Sequence, residues 1–395
     1  MMISRKSRRA AQGAGTIRQR ADGRWEARYT IGRDGGSGKQ IQKSVYGKSQ
    51  KEVRQRLQQI NVSIDDGTYI QPSKLSVSEW LNIWKKEYLG NVKEHTTSQY
   101  NTQINVHLIP IIGALKLSAL NTHMIQCMYN SLARGEKNNR PLSAKSIRNL
   151  HGVLHKALQQ AVTLGYIKFN PSDACTLPRI EKTEIQPIED EKIKELLSII
   201  QGHKYETLYL IDLFTGMRLG EIIGLTWNCV DFKKGILTVN KQLQRERIKG
   251  GEYRFVSLKN DKTRRIVPAK AVMTALAIQR QKQIEWKLKI GSLWDNSLNL
   301  VFTNEFGKHL AAHTVYMNFK RLAASIGIPE TRFHDLRHTF AMLSLQNGDD
   351  VKTVQENLGH ATASFTLDKY GHVSERMKRD SADRMEGYIK GISGL

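Results

Sequence analysis

Three of the eight prolines in this 395-residue chain fall in one stretch, PSDACTLPRIEKTEIQP, residues 171–187. The stretch shows no apolar periodicity. Proline fixes φ and removes a backbone donor, so neither a helix nor a central strand runs through such a segment. It reads as a linker, and the parts on either side must each bury a core of their own.

The part before the linker changes character near residue 70. Residues 15–20, 24–31 and 39–46 read as three short strands, separated by turns at ADG and RDGGSG. SQKE, Ser49 to Glu52, fits a capping box that opens a helix with Val53, Leu57 and Ile60 on one face. From 75 to 165 the pattern is helical throughout. Trp80, Trp84 and Tyr88 recur every four residues, and Ile147, Leu150, Leu154, Leu158 and Ala161 form a second stripe. Both stripes read as core. The chain after 187 opens as helix, then shows a β-ribbon. Its strands are expected at 236–243 and 252–258 around a KGGE turn, with RRIVP as a third, and helices follow. The expected fold is a mainly α, multidomain protein with small β-sheets. It comprises a three-stranded sheet plus helix (1–65), a helical domain (75–180) and an α+β domain (187–395).

Charge narrows the partner. Lys plus Arg number 61 against 37 Asp plus Glu, a net charge of +24. So large an excess repels itself unless an anion answers it, and nucleic acid is the leading candidate. Arg18, Arg20, Arg24, Arg28, Lys39 and Lys43 dominate the N-terminal strands, and a basic sheet can lie in a major groove. Lys145, Arg148 and Lys156 mark the outer face of the helix at 145–161. An anionic membrane surface is the second candidate, but no apolar run reaches the roughly 18 residues of a spanning helix, and no membrane partner is expected. The N-terminus, MMISRKSRRAAQGAG, lacks the apolar stretch of a secretory signal. Cys127, Cys175 and Cys229 are odd in number and lack CxxC spacing. They suit a reducing cytosol and read as three buried small side chains rather than a disulfide or zinc framework.

Four stretches after the linker could carry chemistry. In TGMRLGEIIGL, Thr-Gly ends one helix and Arg218 begins the next, where a cation needs an anion to answer it. Glu221 lies within reach one turn on. LKNDKTRRIVP holds Lys259 and Lys262. In FHDLRHTFAMLSL, His334 and Arg337 are three apart on one helical edge, an arrangement that suits a phosphate. His334 and His338 have the i, i+4 spacing of zinc helices, but HDLRH lacks the Glu of HExxH, so no metal is expected and His338 reads as structural. In NLGHATASFTLDKYGHV a helix ends at Gly359, His360 follows, and Tyr370 closes the next short helix.

Read together, TGxRxxE, HxLRHT, LGH and a Tyr ten residues after that His resemble the tyrosine recombinase, or phage integrase, family. The resemblance covers essentially the whole chain. It implies an arm-type DNA-binding domain, a core-binding domain and a catalytic domain, as in integrases of temperate phages and conjugative elements. It gives six active-site roles to Arg218, Lys259, His334, Arg337, His360 and Tyr370. Lys259 stands nearer than Lys262 to the family's count back from Pro268, which leaves Lys262 as a phosphate contact or the acid itself. Tyr370 would be the nucleophile, His334 its base, the two arginines the phosphate clamp, and the product a 3′-phosphotyrosyl link. No cofactor or metal is needed for that chemistry. The implied partners are double-stranded DNA at arm and core sites, a homotetramer on synapsed DNA, a DNA-bending host protein and an excision factor, in the cytoplasm of a bacterial host. The weakly apolar tail, through Met377, Met385, Tyr388 and Ile389, docks on a neighbouring protomer in relatives. A catalytically silent DNA-binding regulator, a type IB topoisomerase-like enzyme and a metal nuclease are the competing readings.

Overall fold

A computed structural model describes residues 15–66, 69, 74–136, 140–181, 187–246, 251–258, 262–370 and 375–393. The chain divides into two compact units, Met1–Glu181 and Lys182–Leu395. Lys259, and Lys249 and Gly250 of the expected KGGE turn, lie outside the described residues.

The first unit holds two separate apolar clusters. Strands β1 (Thr16–Gln19), β2 (Trp25–Arg33) and β3 (Gln40–Gly47) form one antiparallel sheet, followed by helix α1 (Gln50–Asp65). Alternation in β2 sends Ala27 and Tyr29 onto Val53 and Leu57 of α1. Ser49 caps α1 by accepting from the Glu52 amide. The Glu52 carboxylate turns to the amide of Lys48 instead, so only half of the expected capping box forms.

Helices α2 (Val77–Glu87), α3 (Glu94–Gln103), α4 (Ile109–Ile112), α5 (Thr122–Arg134) and α6 (Ala144–Thr163) build the second cluster. A π-helical turn, Ile104–Leu108, joins α3 to α4. Trp80 is buried and donates its indole N–H to the Ala157 carbonyl at 2.9 Å. Trp84 is buried beside it, but Tyr88 lies past the end of α2 and is 41% exposed, so the expected core stripe stops one turn early. The α6 stripe from Ile147 to Ala161 is buried as its spacing predicts. Cys127 is exposed, contrary to expectation, because it projects from α5 on the side away from Ile125, Met128, Tyr129 and Leu132.

The start of the proline-rich stretch is fastened down. Asn170 bonds the His155 carbonyl, the Thr176 amide donates to Gln126, and Arg148 donates to the Pro178 carbonyl at 2.7 Å. Proline removes regular structure here without freeing the chain.

The second unit begins with α7 (Asp190–Ile200), α8 (Glu206–Thr215) and α9 (Leu219–Ile223). Five strands follow: β4 (Val230–Asp231), β5 (Ile236–Val239), β6 (Gln242–Arg245), β7 (Tyr253–Val256) and β8 (Arg264–Ile266). They do not form one ribbon. The expected strand 236–243 breaks at Asn240: β5 lies between β4 and β8, while β6 pairs with β7 alone. Six helices complete the unit: α10 (Lys270–Ile290), α11 (Ala312–Ser325), α12 (Phe333–Gln346), α13 (Val351–Leu358), α14 (Ala363–Tyr370) and α15 (Glu375–Ser393). Leu208, Ile222, Leu237, Ile266, Leu276, Phe319 and Leu336 are in one core that joins these helices to the larger sheet. A smaller core of Ala341, Leu345, Val354, Leu358 and Tyr370 packs α12, α13 and α14 together.

Candidate active site

Two left-handed glycines shape the site. Gly216 ends α8 at φ +61°, and Gly359 ends α13 at φ +66°. A Cβ on Gly216 would stand 2.5 Å from Phe340, so only glycine lets α8 approach α12 this closely. Arg337, from α12, answers both helix ends. Its guanidinium donates to the carbonyls of Gly216 and Leu358, each at 2.5 Å, where helix dipoles favour a cation. Burial, then repulsion from Arg218, pushes Arg337 down to about 9, which still leaves it charged at neutral pH. Two of its five N–H donors are engaged in these bonds.

Arg218 stands at the N-cap of α9 and bonds Glu221 at 2.9 Å, as the sequence predicts. Glu221 has a second partner the sequence reading missed. Arg264, on β8, reaches both carboxylate oxygens at 3.1 and 2.5 Å and donates to the Asn357 carbonyl at 2.7 Å. Burial alone would raise the Glu221 carboxyl, but Arg264 and Arg218 outweigh it and hold the group at about 2. Strand alternation could have shown that one of Arg264 and Arg265 turns inward, but not which anion would meet it.

His360 follows Gly359, its backbone held by Gln355 in both directions at 3.1 and 2.9 Å. Its Nδ1 meets the Thr366 hydroxyl at 2.9 Å, which leaves Nε2 for another oxygen. Its ring lies parallel to that of Tyr370, 10° apart, with centroids 6.1 Å apart. Burial, then Arg337 and Arg218, lower His360 to about 3.

Tyr370 is 3% exposed and closes α14. Its hydroxyl lies 2.6 Å from His338 Nδ1. The sequence reading had taken His338 as structural and His334 as the base. His334 instead meets His338 edge-on, with centroids 4.8 Å apart, and is exposed at the first turn of α12. The i, i+4 spacing that resembled a zinc pair thus sets two imidazoles edge to face. Burial raises the Tyr370 phenol, while Arg337 and then Arg218 oppose that rise. The same two arginines lower His334, after desolvation and His338, to about 4. Arg218, His334, Arg337, His360 and Tyr370 therefore share one electrostatic environment.

A cavity of about 540 Å³ opens beside them, lined by Arg218, Lys262, Arg264, Arg265, Lys352 and His360 with Glu356. Its lining favours an anion. Among the described residues no cluster of His, Cys, Asp or Glu is arranged to hold a metal ion.

The basic residues named for DNA are exposed, but they do not share one face. Arg18 and Arg28 face outward on the sheet around Glu26, a buried carboxylate bonded to Arg18 at 2.7 Å and to Ser44 at 2.7 Å. The sequence reading named only the basic residues here and missed this acid at the centre. Arg20 and Arg24 lie over the Tyr46 ring, and Arg24 bonds Asp22. Lys43 pairs with Tyr29 in register, on the opposite parity from Arg28, and Lys39 stands just before β3. Lys145 is exposed on α6, and Arg148 is engaged with the Pro178 carbonyl.

The Phage integrase family matches residues 186–377, and its N-terminal SAM-like domain matches residues 76–133. A tyrosine recombinase XerC-like protein of Caldanaerobacter subterraneus subsp. tengcongensis is 31% identical over 380 residues, 90% of this chain and 94% of that protein. The chain belongs to the phage integrase family of tyrosine recombinases. Members of this family cut and rejoin DNA strands, and this recombinase is such an enzyme. Its fold matches the Tn1549 transposon integrase in complex with a circular intermediate DNA, with a TM-score of 0.66 at 22% identity, covering 79% of this chain and 99% of that one. It also matches a lambda integrase tetramer bound to a Holliday junction, with a TM-score of 0.53 at 19% identity, covering 88% of this chain and 96% of that one. No helix among the described residues is long and apolar enough to cross a membrane.

Proposed function

We propose that this recombinase integrates and excises a mobile element, with Tyr370 as the nucleophile that forms a 3′-phosphotyrosyl link. The observation that carries the assignment is the Tyr370 hydroxyl, held against an imidazole beside two buried or half-buried arginines. A phosphodiester is anionic and repels an attacking phenolate. Arg218 and Arg337 offset that repulsion and stabilise charge at the five-coordinate phosphorus. His360 donates from Nε2 to a non-bridging oxygen. A histidine of α12 takes the Tyr370 proton, and Lys259, or Lys262 from the cavity wall, protonates the departing 5′ oxygen. The covalent link conserves the bond energy, so a 5′-hydroxyl of another strand reverses the step without ATP.

Residues 1–65 would hold distant arm sites through Arg18, Arg20, Arg24, Arg28, Lys39 and Lys43. Residues 75–180, with Lys145 and Arg148, and residues 187–395 would grip the crossover site. The likeness to a tetrameric integrase on a Holliday junction supports a homotetramer on synapsed DNA. A DNA-bending protein and an excision factor would set direction in the bacterial cytoplasm.

The test is a nicked suicide duplex carrying the crossover site, incubated in EDTA with wild type and Tyr370→Phe. A protein-linked strand on a denaturing gel, present in wild type and lost in the variant, supports the reading. Specific binding without any adduct would turn it toward a silent regulator, and an adduct in Tyr370→Phe would overturn the nucleophile.

A further inference from the structure

We propose that His338 is the group that accepts the Tyr370 proton during strand cleavage and returns it on rejoining. This rests on the recombinase reading above and adds the proton's route. Among the described residues His338 is the one hydrogen-bond partner of the Tyr370 hydroxyl, at 2.6 Å. The two rings lie 5.6 Å apart at 50°, an arrangement in which the phenol O–H can point along the Nδ1 lone pair. His334 meets His338 edge-on and, among the described residues, makes no hydrogen bond to Tyr370.

The placement suits the task. His338 directly follows Arg337 on α12, so one rigid helix carries both the phosphate clamp and the proton acceptor. A base fixed to the same element as the clamp keeps its distance to the reacting phosphorus. In the step, the Tyr370 O–H bond breaks and its proton passes to His338 Nδ1. The phenol oxygen bonds phosphorus, and the P–O5′ bond breaks. The 5′ oxygen takes a proton from Lys259 or Lys262. Rejoining reverses each transfer, and His338 gives the proton back to Tyr370.

The charged groups around His338 set its resting state. Burial lowers it to about 4; Asp335 raises it, while Arg332, Arg337 and Lys369 lower it. The ring is therefore neutral at physiological pH and free to accept. A bound phosphodiester brings negative charge beside Arg337 and offsets part of that repulsion, so basicity rises when substrate arrives.

The test measures single-turnover adduct formation by wild type, His338→Gln and His334→Gln. It uses two suicide duplexes, one with the natural 5′ oxygen and one with a bridging 5′ sulfur at the scissile phosphate. Sulfur leaves without protonation, so it rescues a lost acid but not a lost base. His338→Gln is expected to slow both substrates by about 10²–10⁴-fold with DNA binding retained. His334→Gln is expected to lose less on both. Near-wild-type rates for His338→Gln, or rescue by sulfur, would overturn the assignment. Loss of adduct from wild type itself would instead fail the recombinase reading. Should His338→Gln not fold, the ¹⁵N shifts of His338 in wild-type protein decide the matter. A proton on Nε2 with Nδ1 accepting supports the proposal, and a proton on Nδ1 donating to the phenol overturns it.

Discussion

Arg264 grips Glu221 with two nitrogens, at 3.1 and 2.5 Å, and the Glu221 side chain is 1% exposed. Through that carboxylate, strand β8 is joined to Arg218 on α9. Through the Asn357 carbonyl it is joined to the last turn before His360. Removing one partner of a buried pair leaves the other charge unanswered, at a cost of about 3–5 kcal/mol. Arg264→Ala should lose stability in that range in urea melts, and Arg264→Lys should lose less. Arg264→Ala melting at the wild-type midpoint would mean that Arg218 alone satisfies Glu221.

Gly216→Ala should be costly. The residue is at φ +61°, and its new Cβ would stand 2.5 Å from Phe340 and 2.7 Å from Leu358. Left-handed strain and overpacking each run at about 1–3 kcal/mol. The Gly216 carbonyl also receives Arg337, so adduct formation should fall along with stability. Full activity in this variant would argue that the carbonyl does not position Arg337.

Acid should destabilise the catalytic unit in two steps. His338 titrates near 4 and His360 near 3 in the folded protein, below the ordinary 6.5. The unfolded chain therefore takes up protons first, and stability falls as pH drops from about 6.5 toward 4. Glu221, held at about 2 against an ordinary 4.5, stabilises above that ordinary value and loses its contribution as pH falls toward 2. Melting temperature against pH should show both declines, with the first flattened in His338→Gln and His360→Gln.

Asp212 is fully buried on α8, its Oδ1 has no hydrogen-bond partner among the described residues, and burial raises its carboxyl well above the ordinary value. A raised folded value means that the group's contribution is lost as pH rises above its unfolded value near 3.8. Asp212→Asn should therefore raise the melting temperature more at pH 8 than at pH 4. An equal shift at both would show that the side chain does not titrate across that window.

In the N-terminal sheet, Arg18→Ala should make log K for duplex DNA less steep in log salt, by about 0.9 if Arg18 neutralises one phosphate. An unchanged slope would show that Glu26, at 2.7 Å, keeps Arg18 for itself.

The sequence by itself determined the local features. The TG before Arg218 and the LG before His360 end helices because only glycine adopts the left-handed cap without strain, and the structure has both caps. The α6 stripe was legible because a 3.6-residue period is a local property. The family was legible from its motifs. Tertiary structure decided which of them meet. His334 and His338 are equivalent by spacing, and only the packing of α14 against α12 and α13 brings Tyr370 to His338. Arg264 and Arg265 are neighbours in sequence, and strand β8 turns one onto Glu221 and leaves the other exposed. Such pairings depend on contacts between residues tens of positions apart, and no periodicity along the chain encodes them.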